Sequence, residues 1–163
     1  MKFSLKSSLK GFEQLTQALR GIKGNSYAKA GLLGANNARD DSTAGNVEIG
    51  LVHEFGSEVN NIPARPFVSA AFKKNLPAYK ETLREYVRAI YAGKMTPAKA
   101  LGLIGLRMAA DMKLYVTEGP HIPPPLQPET VARKGSDRPL VDTGRMVDSI
   151  AHEVVLGGRS QSE

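Results

Sequence analysis

The sequence contains no cysteine and no tryptophan, and no apolar run approaches the roughly 20 residues that span a bilayer. The absence of cysteine excludes disulfide frameworks, thiolate metal sites and cysteine nucleophiles. Residues 1–11 alternate Lys and Ser with apolar residues, so they lack the core of a signal peptide. We therefore expect a chain that acts inside a cell or within a particle, has no membrane partner and is stabilised by packing alone.

Aromatic residues make up only 6% of the 163 residues, whereas 16 Gly and 10 Pro indicate many turns and loops. Such a domain has a small core, and oligomerisation would help to stabilise it. The 22 Lys and Arg exceed the 16 Asp and Glu, which gives a net charge of +6. This excess favours acidic partners or nucleic acid without demanding either.

Alternation of apolar and polar residues predicts strands over residues 1–6, 27–34 and 150–156. Residues 47–55 fit either a strand or a short helix capped by Asn46, and we favour the helix. Together with the helices described next, these strands predict an α+β fold with a small, mostly antiparallel sheet. We expect one domain over residues 1–157, followed by a flexible tail over residues 158–163.

Apolar residues at helical spacing predict a helix over 12–22 that packs on the sheet, and two long helices, 69–91 and 97–115, that form a hairpin. Pro77 predicts a kink or restart in the first long helix. Gly102 and Gly105 each cost about 1 kcal/mol relative to Ala within a helix, so we expect close packing there.

Five of the ten residues 119–128 are proline, which excludes a regular helix or an internal strand. Pro123, Pro124 and Pro125 predict an extended arm that contacts another subunit or another protein. The loop at residues 35–46 and this arm are expected to order upon assembly. Short helices are predicted over 128–133 and 143–148, the latter capped by Asp142 or Thr143.

The sequence offers little for catalysis. His53, His121 and His152 lack a second histidine or a carboxylate at a metal-binding spacing, and the acidic loop residues have no partner that would raise a pKa. The neighbours His53 and Glu54 are the nearest approach to a site, and an interface or capping pair is the favoured interpretation. We expect no cofactor, no metal and no enzymatic activity.

Three segments carry more information: HEFGSEVNNIPARPF at 53–67, PPLQPETVARKG at 124–135 and RPLVDTGRMVDSI at 138–150. Their combination resembles the tail-completion or neck proteins at the head-tail joint of tailed bacteriophages. The three segments cover 40 of the 163 residues.

The resemblance implies an α+β subunit that assembles into a homo-oligomeric ring, commonly six-fold, around the path of the genome DNA. Such a ring completes or terminates the tail and contacts a connector or stopper protein and the tail-tube protein. It implies a structural protein of the virion neck, present in the host cytoplasm during assembly. Stopper, terminator and tail-completion subtypes stay open.

The same residues are compatible with an interface on physical grounds. The prolines of IPARPF stiffen the segment, so that Arg65 can be presented to an acidic partner and Phe67 can enter a neighbouring apolar site. Alternatively, Pro63 and Pro66 shape a turn within one subunit and Phe67 fills its own core. In DTGRM, a local capping role explains the residues without a partner. The candidate interface residues are His53, Glu54, Phe55, Pro63, Arg65, Pro66, Phe67, Pro123, Pro124, Pro125, Asp142 and Arg145.

Two other functions are considered. A small basic DNA-binding protein would use the charge of +6, and its affinity would fall steeply with salt. A small hydrolase would use His53 with Glu54, but the sequence supplies neither a nucleophile nor an orienting third residue.

Overall fold

The computed structural model describes residue 16 and residues 25–38, 43–119, 122–157 and 159–161. Within these residues the fold is of the α+β class. The elements in chain order are β1 (Tyr27–Leu32), a 3-10 helix (Gly34–Asn36), α1 (Asn46–Phe55), α2 (Val68–Tyr91), α3 (Pro97–Thr117), α4 (Pro128–Lys134), α5 (Arg145–Asp148), β2 (Ile150–Leu156) and β3 (Arg159–Gln161).

The sheet has the strand order β1-β2-β3. Strands β2 and β3 are antiparallel, with Val154 opposite Gln161 and Leu156 opposite Arg159. The predicted strand at 150–156 is confirmed. It is followed by β3, within the stretch expected to be a flexible tail, because the turn at Gly157, with a φ of 57°, returns the chain beside β2.

The predicted long hairpin is confirmed, since α2 and α3 are joined by the short connection at residues 92–96. Arg107 Nη1 donates to Thr82 Oγ1 at 2.6 Å, and the Arg107 guanidinium lies 5.9 Å from the centre of the Tyr79 ring. Helix α2 continues through Pro77, where we expected a kink or restart. The described part of the chain holds no helix whose length and apolar character would let it cross a membrane.

The chain divides into two compact units. Among the described residues, unit 1 takes in the segments up to Lys29, Leu76–Arg107 and from His152 onward, and unit 2 takes in Ala30–Asn75 and Met108–Ala151. The division passes through β1, α2, α3 and β2, and the single domain over residues 1–157 stays a prediction. The predicted strand over 1–6 lies outside the described residues, as does the helix over 12–22 apart from Thr16, which is helical.

Unit 2 has a core built on fully buried side chains of Phe67, Met112 and Val116, packed with Met146 and Ile150. The side chain of Phe67 is 0% exposed. The interface role expected for Phe67 is therefore wrong, and the alternative that this residue fills its own core is confirmed.

In unit 1, the close packing expected at the helix glycines occurs at Gly105 only. A Cβ at Gly105 would lie 3.0 Å from His152 Cδ2 and 3.4 Å from Ala28 Cβ, so α3 lies directly against the strands there. A Cβ at Gly102 would meet nothing within 4 Å. The expectation of close packing at Gly102 is wrong.

Candidate functional site

A cleft of about 1020 Å³ in unit 2 is lined by all three segments that carry the phage resemblance. Its walls come from the end of α1 with the turn that follows, from the proline arm with α4, and from the turn before α5. Eight predicted interface residues line it: His53, Phe55, Pro63, Arg65, Pro124, Pro125, Asp142 and Arg145. Segments separated by tens of residues in the sequence thus form one continuous surface.

The first wall depends on the glycine of HEFG. Helix α1 ends at Phe55, and Gly56 follows with a φ of 80°, a conformation that L side chains rarely adopt. A Cβ at Gly56 would lie 2.9 Å from the backbone nitrogen of Ala64, so no larger residue fits. Ser57 and Ile62 then exchange backbone hydrogen bonds of 2.8 and 2.9 Å, which close the turn and direct the chain back along α1.

Arg65 joins this wall to the proline arm. Its backbone nitrogen donates to the carbonyl oxygen of His53 at 2.6 Å. Its side chain is buried, with Nε donating to the Pro124 carbonyl at 3.0 Å and Nη2 to the Pro125 carbonyl at 3.3 Å. The peptide bond between Pro123 and Pro124 is cis. Arg65 therefore has an intramolecular role that sequence analysis did not identify, while a role between subunits stays a prediction.

Positive charge collects around Arg65. Burial lowers the pKa of His53, and the charges of Arg65 and Lys134 lower it further. The pKa of Lys134 is also lowered, chiefly by burial, although Asp142 opposes this effect. His53 Nδ1 is buried and has no hydrogen-bond partner among the residues that the structure describes. The cleft therefore favours a neutral imidazole among fixed cations.

The remaining predicted residues lie elsewhere. Glu54 accepts hydrogen bonds from the backbone nitrogens of Val68 at 2.9 Å and Ser69 at 3.1 Å, so its carboxylate caps the N-terminus of α2. The favoured interpretation as a capping residue is confirmed for Glu54. Pro66 and Pro123 are exposed and do not line the cleft.

The region around α5 differs in detail from its prediction. Helix α5 begins at Arg145. Its N-cap residue is Gly144, which has no side chain that could form a capping hydrogen bond. The prediction that Asp142 or Thr143 caps this helix is therefore wrong. Both side chains are exposed and line the cleft instead. The prediction for α4 is confirmed, since this helix begins at Pro128.

The pairing of His53 with Glu54 that a hydrolase would use is not formed. Both carboxylate oxygens of Glu54 are bonded to the first turn of α2. In the part of the chain that the structure describes, no group of three or more His, Asp and Glu side chains is placed to hold a metal ion. His121 lies outside the described residues.

Comparison of the chain with protein-family models, with curated proteins and with solved structures gives no match.

Proposed function

We propose that the chain is a structural protein of a tailed bacteriophage particle, located at the head-tail joint. The observation that carries this proposal is the convergence of the three segments resembling tail-completion or neck proteins on one cleft. If each segment served only a local turn or cap, no physical reason would place all three on the same surface.

The exposed side chains of the cleft are suited to an interface between protein chains. Phe55 is 76% exposed, although burying its apolar ring away from water would be favourable. Pro124 and Pro125 are also exposed, and the bonds from Arg65 fix the backbone that carries them. A surface that is already rigid loses little conformational entropy upon binding.

In this proposal the function is assembly without a catalytic step. Copies of the chain form a ring around the DNA path, and the ring joins the tail tube to the connector or stopper. The cleft and the proline arm contribute contacts between chains. The protein is then found in the neck of the virion, after passing through the host cytoplasm.

A DNA-binding protein is the second candidate, favoured by the net charge of +6. The exposed cations of α2 argue against a continuous phosphate-binding surface, because Arg84 pairs with Glu81 and Glu85 lies on the next turn. Binding to a DNA duplex at increasing salt separates the two functions, since phosphate contacts predict a steep loss of affinity.

Electron microscopy of lysates from the phage that encodes this chain provides the test. Deletion of the gene is expected to leave filled heads and separate tails, or tails with faulty ends, and a plasmid copy is expected to restore complete particles. Normal infectious particles in the absence of the protein would contradict the proposal.

A further inference from the structure

Arg65 is a buried cation without a carboxylate partner among the described residues. It is 7% exposed, and its two side-chain hydrogen bonds go to carbonyl oxygens. The pKa of Arg65 is lowered, and burial is the cause. A guanidinium has more N–H donors than these bonds use, and a buried charge is costly unless an opposite charge compensates it.

Further cations surround this charge. Lys134 and Arg133 lie on the last turn of α4, and both line the cleft with Arg65. Lys134 Nζ donates to the carbonyl oxygen of Arg138 at 3.0 Å and so is held in place. Asp142 is the acidic side chain that acts on Lys134. The positive excess around Arg65 attracts an anionic group.

The form of the cleft indicates which anion fits. A volume of about 1020 Å³ exceeds the needs of a single carboxylate and leaves room for neighbouring residues. Ile49, Leu126 and Leu140 line it with apolar surface, which suits peptide side chains. Glu58 and Asp142 also line it and are exposed, so they repel the continuous row of phosphates on a DNA duplex. A lone carboxylate on a flexible side chain avoids both carboxylates and reaches Arg65.

We propose that the cleft receives a carboxylate side chain from an acidic, extended segment of a partner protein, with Arg65, Arg133 and Lys134 as its recognition residues. This inference rests on the proposal that the cleft is an interface. The carboxylate accepts hydrogen bonds from the donors that Arg65 leaves unused, and the flanking residues of the segment pack on the apolar wall. Charge-assisted bonds to a guanidinium are stronger than neutral ones and depend on geometry.

The test is a calorimetric titration of the purified full chain with the capped peptide acetyl-Gly-Leu-Glu-Leu-Gly-amide. The same peptide with Gln in place of Glu is the matched probe, and we expect it to bind about tenfold more weakly, the equivalent of one lost charge-assisted contact. The protein variant Arg133→Gln, on the exposed side of α4, is expected to weaken binding of the Glu peptide severalfold. The variant Arg88→Gln removes the same charge from unit 1 and is expected to leave binding unchanged.

Titration of Arg65→Lys adds a second measurement, because this variant keeps the charge without the planar donor group. If circular dichroism shows that Arg65→Lys does not fold, the binding of the Glu peptide to Arg133→Gln still tests the inference. Equal binding of the Glu and Gln peptides would overturn the inference, as would tighter binding of a short DNA duplex that Arg133→Gln weakens. If either outcome were found and the deletion phage still gave unjoined heads and tails, the inference of a carboxylate site would be wrong and the proposed function would stand.

Discussion

The Arg65 side chain donates from Nε to the carbonyl oxygen of Pro124 at 3.0 Å, across 59 positions of the sequence. The neighbouring carbonyl of Pro125 accepts from Nη2 of the same guanidinium. Because the proline arm has few backbone N–H groups to donate, such carbonyls depend on side chains or water for their hydrogen bonds. Arg65 thus fixes the position of the arm on its own chain.

Replacing Arg65 by Ala is expected to lower the free energy of unfolding by about 1.5–3 kcal/mol, because charged hydrogen bonds to the arm are lost. Arg65→Lys should recover part of this loss, since an ammonium keeps the charge but cannot donate in the same plane. Urea denaturation followed by circular dichroism measures both. An Ala variant as stable as the natural protein, but defective in assembly, would instead place the main role of Arg65 between subunits.

Glu54→Ala is expected to destabilise the protein by about 1–2 kcal/mol, because the first backbone N–H groups of α2 lose their capping acceptor. Glu54→Gln keeps an acceptor oxygen and should cost less. Glu58→Ala is the matched control, since Glu58 is exposed and its carboxylate caps no helix in the described part of the chain. Urea midpoints compare the three variants, and equal losses for Glu54→Ala and Glu58→Ala would contradict a capping role.

The stability of the protein is expected to depend on His53 in weakly acidic solution. The unfolded imidazole has a pKa of about 6.5, and the folded pKa is lower because of burial and the charges of Arg65 and Lys134. As the pH falls below about 6.5, the unfolded state binds the proton first, so the free energy of unfolding decreases until the folded pKa is reached. Urea titrations from about pH 8 to about pH 5 should show a shallower decrease for His53→Gln. Parallel curves for the two proteins would refute the expectation.

The two glycines of α3 provide a matched pair. Gly102→Ala should stabilise the protein by about 0.5–1 kcal/mol, because Ala favours the helix and its Cβ points into open space. Gly105→Ala should instead destabilise the protein by about 1–3 kcal/mol relative to the natural sequence, since the added Cβ presses on His152 and Ala28. Thermal unfolding ranks them. An equal gain at both positions would show that the strands yield easily to the added methyl group.

Phe55→Ser tests the cleft as an interface. Since the ring is 76% exposed, we expect the free energy of unfolding to change by less than about 0.5 kcal/mol. If the cleft is the proposed interface, plasmid complementation of the deletion phage should nevertheless yield fewer joined particles, because an apolar contact with a neighbouring chain would be lost. Wild-type yields from this variant would exclude Phe55 from the interface.

The elements with strong periodicity could be predicted from the sequence. Helices α2 and α3 and strand β2 follow from the spacing of their apolar residues, and α1 was the favoured interpretation of an ambiguous pattern. The capping of α1 could not be predicted. Asn46 was the expected cap but is the buried first residue of the helix, and Asn37 Oδ1 instead accepts from Val47 N at 2.8 Å. A cap that comes from ten positions earlier leaves no local signal.

Eight of the twelve predicted residues line the candidate cleft, but their contacts could not be predicted from the sequence. The motif resemblance indicates the three segments, whereas the local pattern predicts an outside partner for Arg65 and fits Phe67 either at an interface or in its own core. Tertiary contacts decide both: Arg65 meets carbonyls far along the chain, and Phe67 enters the core of unit 2. The cluster of His53 with Lys134 likewise joins residues whose separation in sequence conceals their proximity.

The closed turn between Ser57 and Ile62 gives the protein a ready position for a reporter group. Val59 is 96% exposed in that turn, while the adjacent Glu58 lines the cleft. Because the sequence has no cysteine, Val59→Cys would carry the sole thiol of the chain. A fluorophore or spin label attached there would show whether a partner enters the cleft, as the proposed assembly predicts, with the rest of the sequence unchanged.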